Sequence, residues 1–151
     1  MAESPPQVNA FVLCDQAFQQ AMTGKWCVIG TFGVIWAREF PVNHAPLVVF
    51  IGLSDFKGNC EVEVSIRDTE DKPVCGVKAQ IPQIPMSIAE FAFNFPPVRF
   101  EKAGSYTLEL VAHGSFLAAR QFQVQIAPQQ QPGQQTQMPP WMKPPDAPDE
   151  T

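Results

Sequence analysis

Along most of this chain hydrophobic side chains recur at every second position. CEVEVSIRD, residues 60–68, sets Cys60, Val62, Val64 and Ile66 on one side and Glu61, Glu63, Ser65 and Arg67 on the other. That is the period of a strand with one buried face. EDKP (70–73) supplies turn residues, and VCGVKAQI (74–81) returns as a second strand. SYTLELVA (105–112) alternates Tyr106, Leu108 and Leu110 with Thr107 and Glu109, and His113-Gly114 predicts a tight hairpin turn after it. AEFAFNF (89–95) aligns Phe91, Phe93 and Phe95 until Pro96-Pro97 stops it. LVVFIGL (47–53) is apolar on both parities, as in a strand covered on both faces. In FLAARQFQVQI (116–126) the inward parity moves from Leu117 and Ala119 to Phe122, Val124 and Ile126. That switch predicts a bulge near Arg120, because one extra residue turns every later side chain to the other face.

Helical periodicity is scarce. The best candidate, DQAFQQAM (15–22), is short and runs straight into Thr23-Gly24. Eight or nine short strands separated by turns predict an all-β fold, an antiparallel two-sheet β-sandwich. It is immunoglobulin-like in shape only, since no Cys…Trp…Cys spacing is present. The pattern holds over residues 7–127. From Pro128 to Thr151, 7 of 24 residues are proline and 6 are glutamine, with Met and Trp the only large apolar types. Such a segment buries too little surface to offset its ordering entropy, which predicts a disordered or polyproline-II tail over 128–151.

Composition narrows the classes. A length of 151 residues with 45% hydrophobic and 17% charged side chains suits one domain with a real core. The net charge of −5 and ten basic residues scattered singly from Lys25 to Lys143 leave no basic stripe for phosphates, so nucleic acid is not an expected partner. MAESPPQVNA lacks the basic and apolar runs of a signal peptide. The apolar stretches are strand-length, short of the roughly 20 residues that span a bilayer. A cytoplasmic protein without membrane contact is expected.

The candidate chemistry sits in AFVLCDQAFQQAMTGKWCVIGTF (10–32). Cys14 continues the apolar parity of Val8, Ala10 and Val12; Cys27 shares its parity with Ile29, opposite Trp26 and Val28. Asp15, at the end of that pattern, fits an Asx-turn acceptor. A cysteine nucleophile needs a cation, a helix N-terminus or a histidine base, whereas an adjacent aspartate raises the thiol pKa. His44 lies in loop chemistry and His113 before a turn glycine, and nothing in the sequence brings either to Cys14. No catalytic residue is therefore assigned, and a cysteine-dependent enzyme around Cys14 stands as an alternative that requires a histidine within hydrogen-bond reach. The four cysteines, 13, 33 and 15 residues apart, form no zinc spacing and read as reduced thiols. Asp55, Asp68, Glu70 and Asp71 form no D-x-D ligand pattern, so neither metal nor other cofactor is expected.

Trp26 and Trp36 read as core residues. Were either exposed on a sheet face, a small-ligand or carbohydrate-binding sandwich would gain support. Trp141, between Pro139-Pro140 and Pro144-Pro145, reads as an aromatic anchor on a stiff segment, and Pro139, Pro140 and Trp141 are the expected partner-binding residues. The leading reading is a non-enzymatic β-sandwich that binds another protein or itself.

One resemblance adds to this. Leu13, Cys14 and Asp15, then Gly24-Lys25, then Ile29, Gly30 and Phe32, then Phe40-Pro41, and finally Gly104 and Tyr106 form a spaced pattern over roughly 8–126. The pattern resembles that of a family of short uncharacterised bacterial β-sandwich proteins. The resemblance implies a fold and says nothing about catalysis.

Overall fold

The computed structural model describes residues 5–82, 88–128 and 141. Among them the alternating segments are strands: β1 (Gln7–Gln19), β2 (Trp26–Thr31), β3 (Val34–Ala37), β4 (Val42–His44), β5 (Val48–Ser54), β6 (Cys60–Arg67), β7 (Pro73–Ile81), β8 (Ile88–Asn94), β9 (Val98–Phe100), β10 (Gly104–Ala112) and β11 (Ser115–Ile126). The fold is all-β. The short β3, β4 and β9, which have too few residues to show a period, account for the excess over eight or nine.

One sheet has the order β2-β1-β5-β8, the other β3-β11-β10-β6-β7, and β4-β9 is a separate ribbon. Every pairing is antiparallel except β3 with β11, which is parallel. The runs β1-β5-β8 and β11-β10-β6-β7 follow the strand order of an immunoglobulin-type sandwich. A local feature agrees: the Tyr106 hydroxyl donates to the Lys102 carbonyl at 2.7 Å, the corner that such domains build at the start of this strand. Leu108 occupies the place, two residues on, where a disulfide-bonded domain carries cysteine. All four cysteines here are free thiols, so packing replaces the covalent link.

The interior follows from the alternation. Cys60, Val62, Val64 and Ile66 of β6 and Tyr106, Leu108 and Leu110 of β10 are buried against Val49, Ile51 and Leu53 of β5. Each such side chain contributes about 1.5–3 kcal/mol on burial. Phe100, Tyr106 and Phe122 add an aromatic cluster with ring centroids 4.9–6.0 Å apart, in edge and offset geometries favoured by ring quadrupoles.

Two registers depart from the sequence reading. In β1 the ladder with β5 shifts between Val8 and Ala10. Val8, Phe11 and Leu13 therefore pack on the core, while Ala10, Val12 and Cys14 pair with Gly52, Phe50 and Val48 on the opposite, outer face. In β11 the shift comes earlier than Arg120. Val111 pairs with Phe116 and Leu110 with Ala118, so Leu117 is the extra residue. Arg120 takes an inward position opposite Leu108, Ala119 is exposed, and the Arg120 guanidinium reaches the Phe11 carbonyl at 3.4 Å, tying the edges of the two sheets.

Candidate functional site

The Cys14 region is the first place to look for chemistry. Cys14 is fully buried and its thiol points to the Val48 carbonyl at 3.5 Å. Cys14 pairs with Thr31 of β2 on one side and Val48 of β5 on the other. Gln19 pairs with Trp26, seven positions past Val12, which pairs with Phe50. Along a straight strand those pairs would stand roughly 23 Å apart at ~3.3 Å per residue. The Trp26 and Phe50 rings are nevertheless 5.5 Å apart, so the hairpin curls back over the outer face of its own sheet. Trp26 thus helps to bury Phe50 on the outward side of β5.

Burial raises the Cys14 thiol pKa; Asp15 repulsion adds to this, and a hydrogen bond with the Gln16 backbone opposes it. Asp15 is not a strand-end acceptor as the sequence suggested. It lies within β1, and its carboxylate sits over Gly30, where an added Cβ would meet Oδ2 at 2.6 Å. Gly30 also has φ of +72°, so space and backbone both require glycine there. Burial lowers the His44 pKa, against the attraction of Asp15 and a hydrogen bond with the Pro46 backbone. Its ring lies edge-on to Phe32 at 6.0 Å, and its Nε2 has no hydrogen-bond partner among the described residues. The fold thus gathers Cys14, Asp15 and His44 into one neighbourhood, yet Cys14 hydrogen-bonds a carbonyl and no base.

A second region is a cavity of about 370 Å³ at the β6–β7 turn, lined in part by Asp68, Lys72, Arg99, Glu101, Lys102 and Tyr106. Its charges are occupied with one another. Arg99 pairs with Glu101 at 2.8 Å, and Glu70 holds both Lys72 and Lys102. Asp68 accepts the backbone N–H groups of Glu70 and Lys72 at 2.8 and 2.9 Å. Its carboxyl is held below the ordinary value chiefly by the Lys72 backbone. This cavity is a braced corner.

The third region overturns an expectation. Trp36 is 59% exposed. On the four residues of β3, Ile35 and Ala37 turn inward, and Val34 and Trp36 turn out beside Gln123 and Gln125 of β11. Gln125 Nε2 donates to Gln123 Oε1 at 3.1 Å. No hydrogen bond involves the Gln123 Nε2 donor among the described residues. The opposite margin of β3 pairs with no strand among the described residues. The sequence missed this because a four-residue strand has too short a period to reveal its outward face.

A smaller apolar strip lies on the hairpin, where Phe18 and Ile29 are exposed at 39% and 51%. Of the expected partner-binding residues, Trp141 is 78% exposed, and Pro139 and Pro140 lie outside the described residues. Among the described residues, no helix is long and apolar enough to cross a membrane.

A model of the family of unknown function DUF6941 matches residues 9–125, from β1 almost to the end of β11. No curated protein matches the chain in sequence. The chain belongs to the DUF6941 family.

Proposed function

We propose that this protein is a non-enzymatic binding module, which holds a segment of another protein, or of a second copy, at the outer margin of β3 and β11. One observation carries this reading: the large Trp36 ring is left in solvent beside unpaired strand edge and amide groups, although the fold packs a half-buried Trp26 against Phe50 ten residues earlier. An exposed aromatic beside an open sheet edge offers both an anchor and backbone hydrogen bonds to an extended partner. Pro139, Pro140 and Trp141 are the chain's own element of complementary type. A raised Cys14 thiol pKa without a hydrogen-bonded base supports a non-catalytic reading of the hairpin.

A second reading takes the same observation differently. A flat exposed indole flanked by the Gln123 and Gln125 amides also suits stacking and hydrogen bonding to a sugar ring. The test compares three full-length chains, wild type, Trp36→Ala and Ile29→Asp, for what each captures, followed by titration of the captured species and of an oligosaccharide panel. Loss of a protein partner with Trp36→Ala alone supports the proposal. Loss with Ile29→Asp alone moves the interface to the hairpin, and saccharide binding quenched by Trp36→Ala favours the second reading.

A further inference from the structure

We infer that the Trp36 face is a seat for a polyproline-II segment, and that its resident occupant is residues 139–145 of the same chain, Pro-Pro-Trp-Met-Lys-Pro-Pro. The inference rests on the binding reading above and names the ligand class of that surface.

Three observations converge. The first is chemical. A polyproline-II segment has no internal hydrogen bonds and presents ring faces and bare carbonyls, so its receptor needs an exposed aromatic and a nearby N–H donor. Trp36 supplies the aromatic, with Val34 beside it. Gln123 supplies the donor: Gln125 occupies its Oε1, which leaves the amide Nε2 for a ligand carbonyl. The second is where the chain leaves the body. The last backbone hydrogen bond among the described residues runs from Ala127 N–H to the Ala37 carbonyl at 2.7 Å, and Ala37 is the residue after Trp36. The chain therefore departs at Pro128 from the margin of the seat itself. The third is length. The eleven residue steps from Pro128 to Pro139 can span about 36–40 Å at full extension, far more than the return to Trp36 requires.

Tethering decides why such a contact matters. A short proline–tryptophan contact is weak between separate molecules, but a tether of this length gives an effective concentration on the order of millimolar. An intrinsic Kd on the order of 1 mM would then leave the seat occupied about half of the time. Trp141 stands exposed, which matches the open form of this exchange. A tail seated part of the time screens Trp36 and yields to a partner whose own segment binds better.

The experiment uses the full chain labelled with ¹⁵N. Indole N–H signals of Trp26, Trp36 and Trp141 are assigned with single Trp→Phe variants. Substituting Pro139, Pro140, Pro144 and Pro145 with Ser should shift the Trp36 signal and leave Trp26 in place. Adding the heptapeptide Pro-Pro-Trp-Met-Lys-Pro-Pro at millimolar concentration should move the Trp36 signal of the variant back toward its wild-type position. In the wild type that position should be independent of protein concentration. A Trp36 signal indifferent to both substitution and peptide overturns the inference. A position that changes with dilution overturns it in favour of a second copy's tail. Either failure leaves the partner test with Trp36→Ala intact, because the tail is unchanged there.

Discussion

Trp26 and Trp36 stand ten residues apart on consecutive strands of different sheets, and the fold treats them oppositely. Trp26 rides on a hairpin that curls over its own sheet until the ring meets Phe50, which is buried on the outer face with Cys14 and Val48. Trp36 rides on a four-residue strand at the margin of the other sheet, and no element among the described residues folds back to cover it. Elsewhere that sheet's outward side carries Glu61, Glu63, Arg67, Lys78 and Glu109, and four of these form ion pairs there: Arg67 with Glu109 at 3.0 Å, and Lys78 with Glu63 at 3.6 Å. The molecule thus packs Trp26 of its own hairpin on Phe50 of one sheet and leaves Trp36 in solvent on the other, where Phe116 of β11 is exposed as well.

If that contrast is correct, stability should separate the two tryptophans first. Trp26→Ala removes the ring packed on Phe50 and should cost about 2–4 kcal/mol, as large-to-small changes at packed aromatics do. Trp36→Ala should stay within about 0.5 kcal/mol, as an exposed substitution does. Urea midpoints at constant m-value measure both, and equal losses would erase the contrast. Gly30→Ala attacks the base of the same hairpin, adding a left-handed strain to a collision with Asp15; a loss of about 1–3 kcal/mol is expected, again from urea unfolding.

The covered side has its own pH signature. Burial lowers the His44 pKa below its ordinary value of 6.5. The unfolded chain then takes up this proton first as pH falls, so the stability from a neutral His44 is complete above 6.5 and is lost on acidification through the lower folded value. His44→Phe should flatten the decline in urea midpoint below pH 6.5, and an unchanged profile would place the ring in water. The smallest effect concerns reactivity. With its pKa raised by burial, Cys14 should react with iodoacetamide more slowly than an exposed thiol at neutral pH, as read by peptide mass mapping. Rapid selective alkylation at Cys14 would return the hairpin to candidate chemistry.

What the sequence made legible follows the same division. Where a strand is long enough to show several alternations, as in 60–68 or 105–112, the inward face, the turn at His113-Gly114 and the partner strand were all readable. His113 and Gly114 both take positive φ, as the hairpin requires. Periodicity failed at single-residue insertions. The bulge after Val8 turned Cys14 to the outer face without altering its apolar company, and the bulge at Leu117 was read near Arg120 because alanines at 118 and 119 fit either face. It failed again at β3, where Trp36 looked like core because tryptophan is apolar, while its exposure depends on which strand lies beside it. The neighbourhood of Cys14, Asp15 and His44 depends on a contact between β1 and the region of β4 that no local spacing encodes.

The central claim is that Trp36 is surface held for a ligand and contributes little to the fold. Its most direct test is one binding isotherm, that of the captured partner against the full-length Trp36→Ala chain, set beside wild type. The account predicts an affinity at least tenfold weaker, about 1.4 kcal/mol, as for an interface anchor. An isotherm that superimposes on wild type would contradict it.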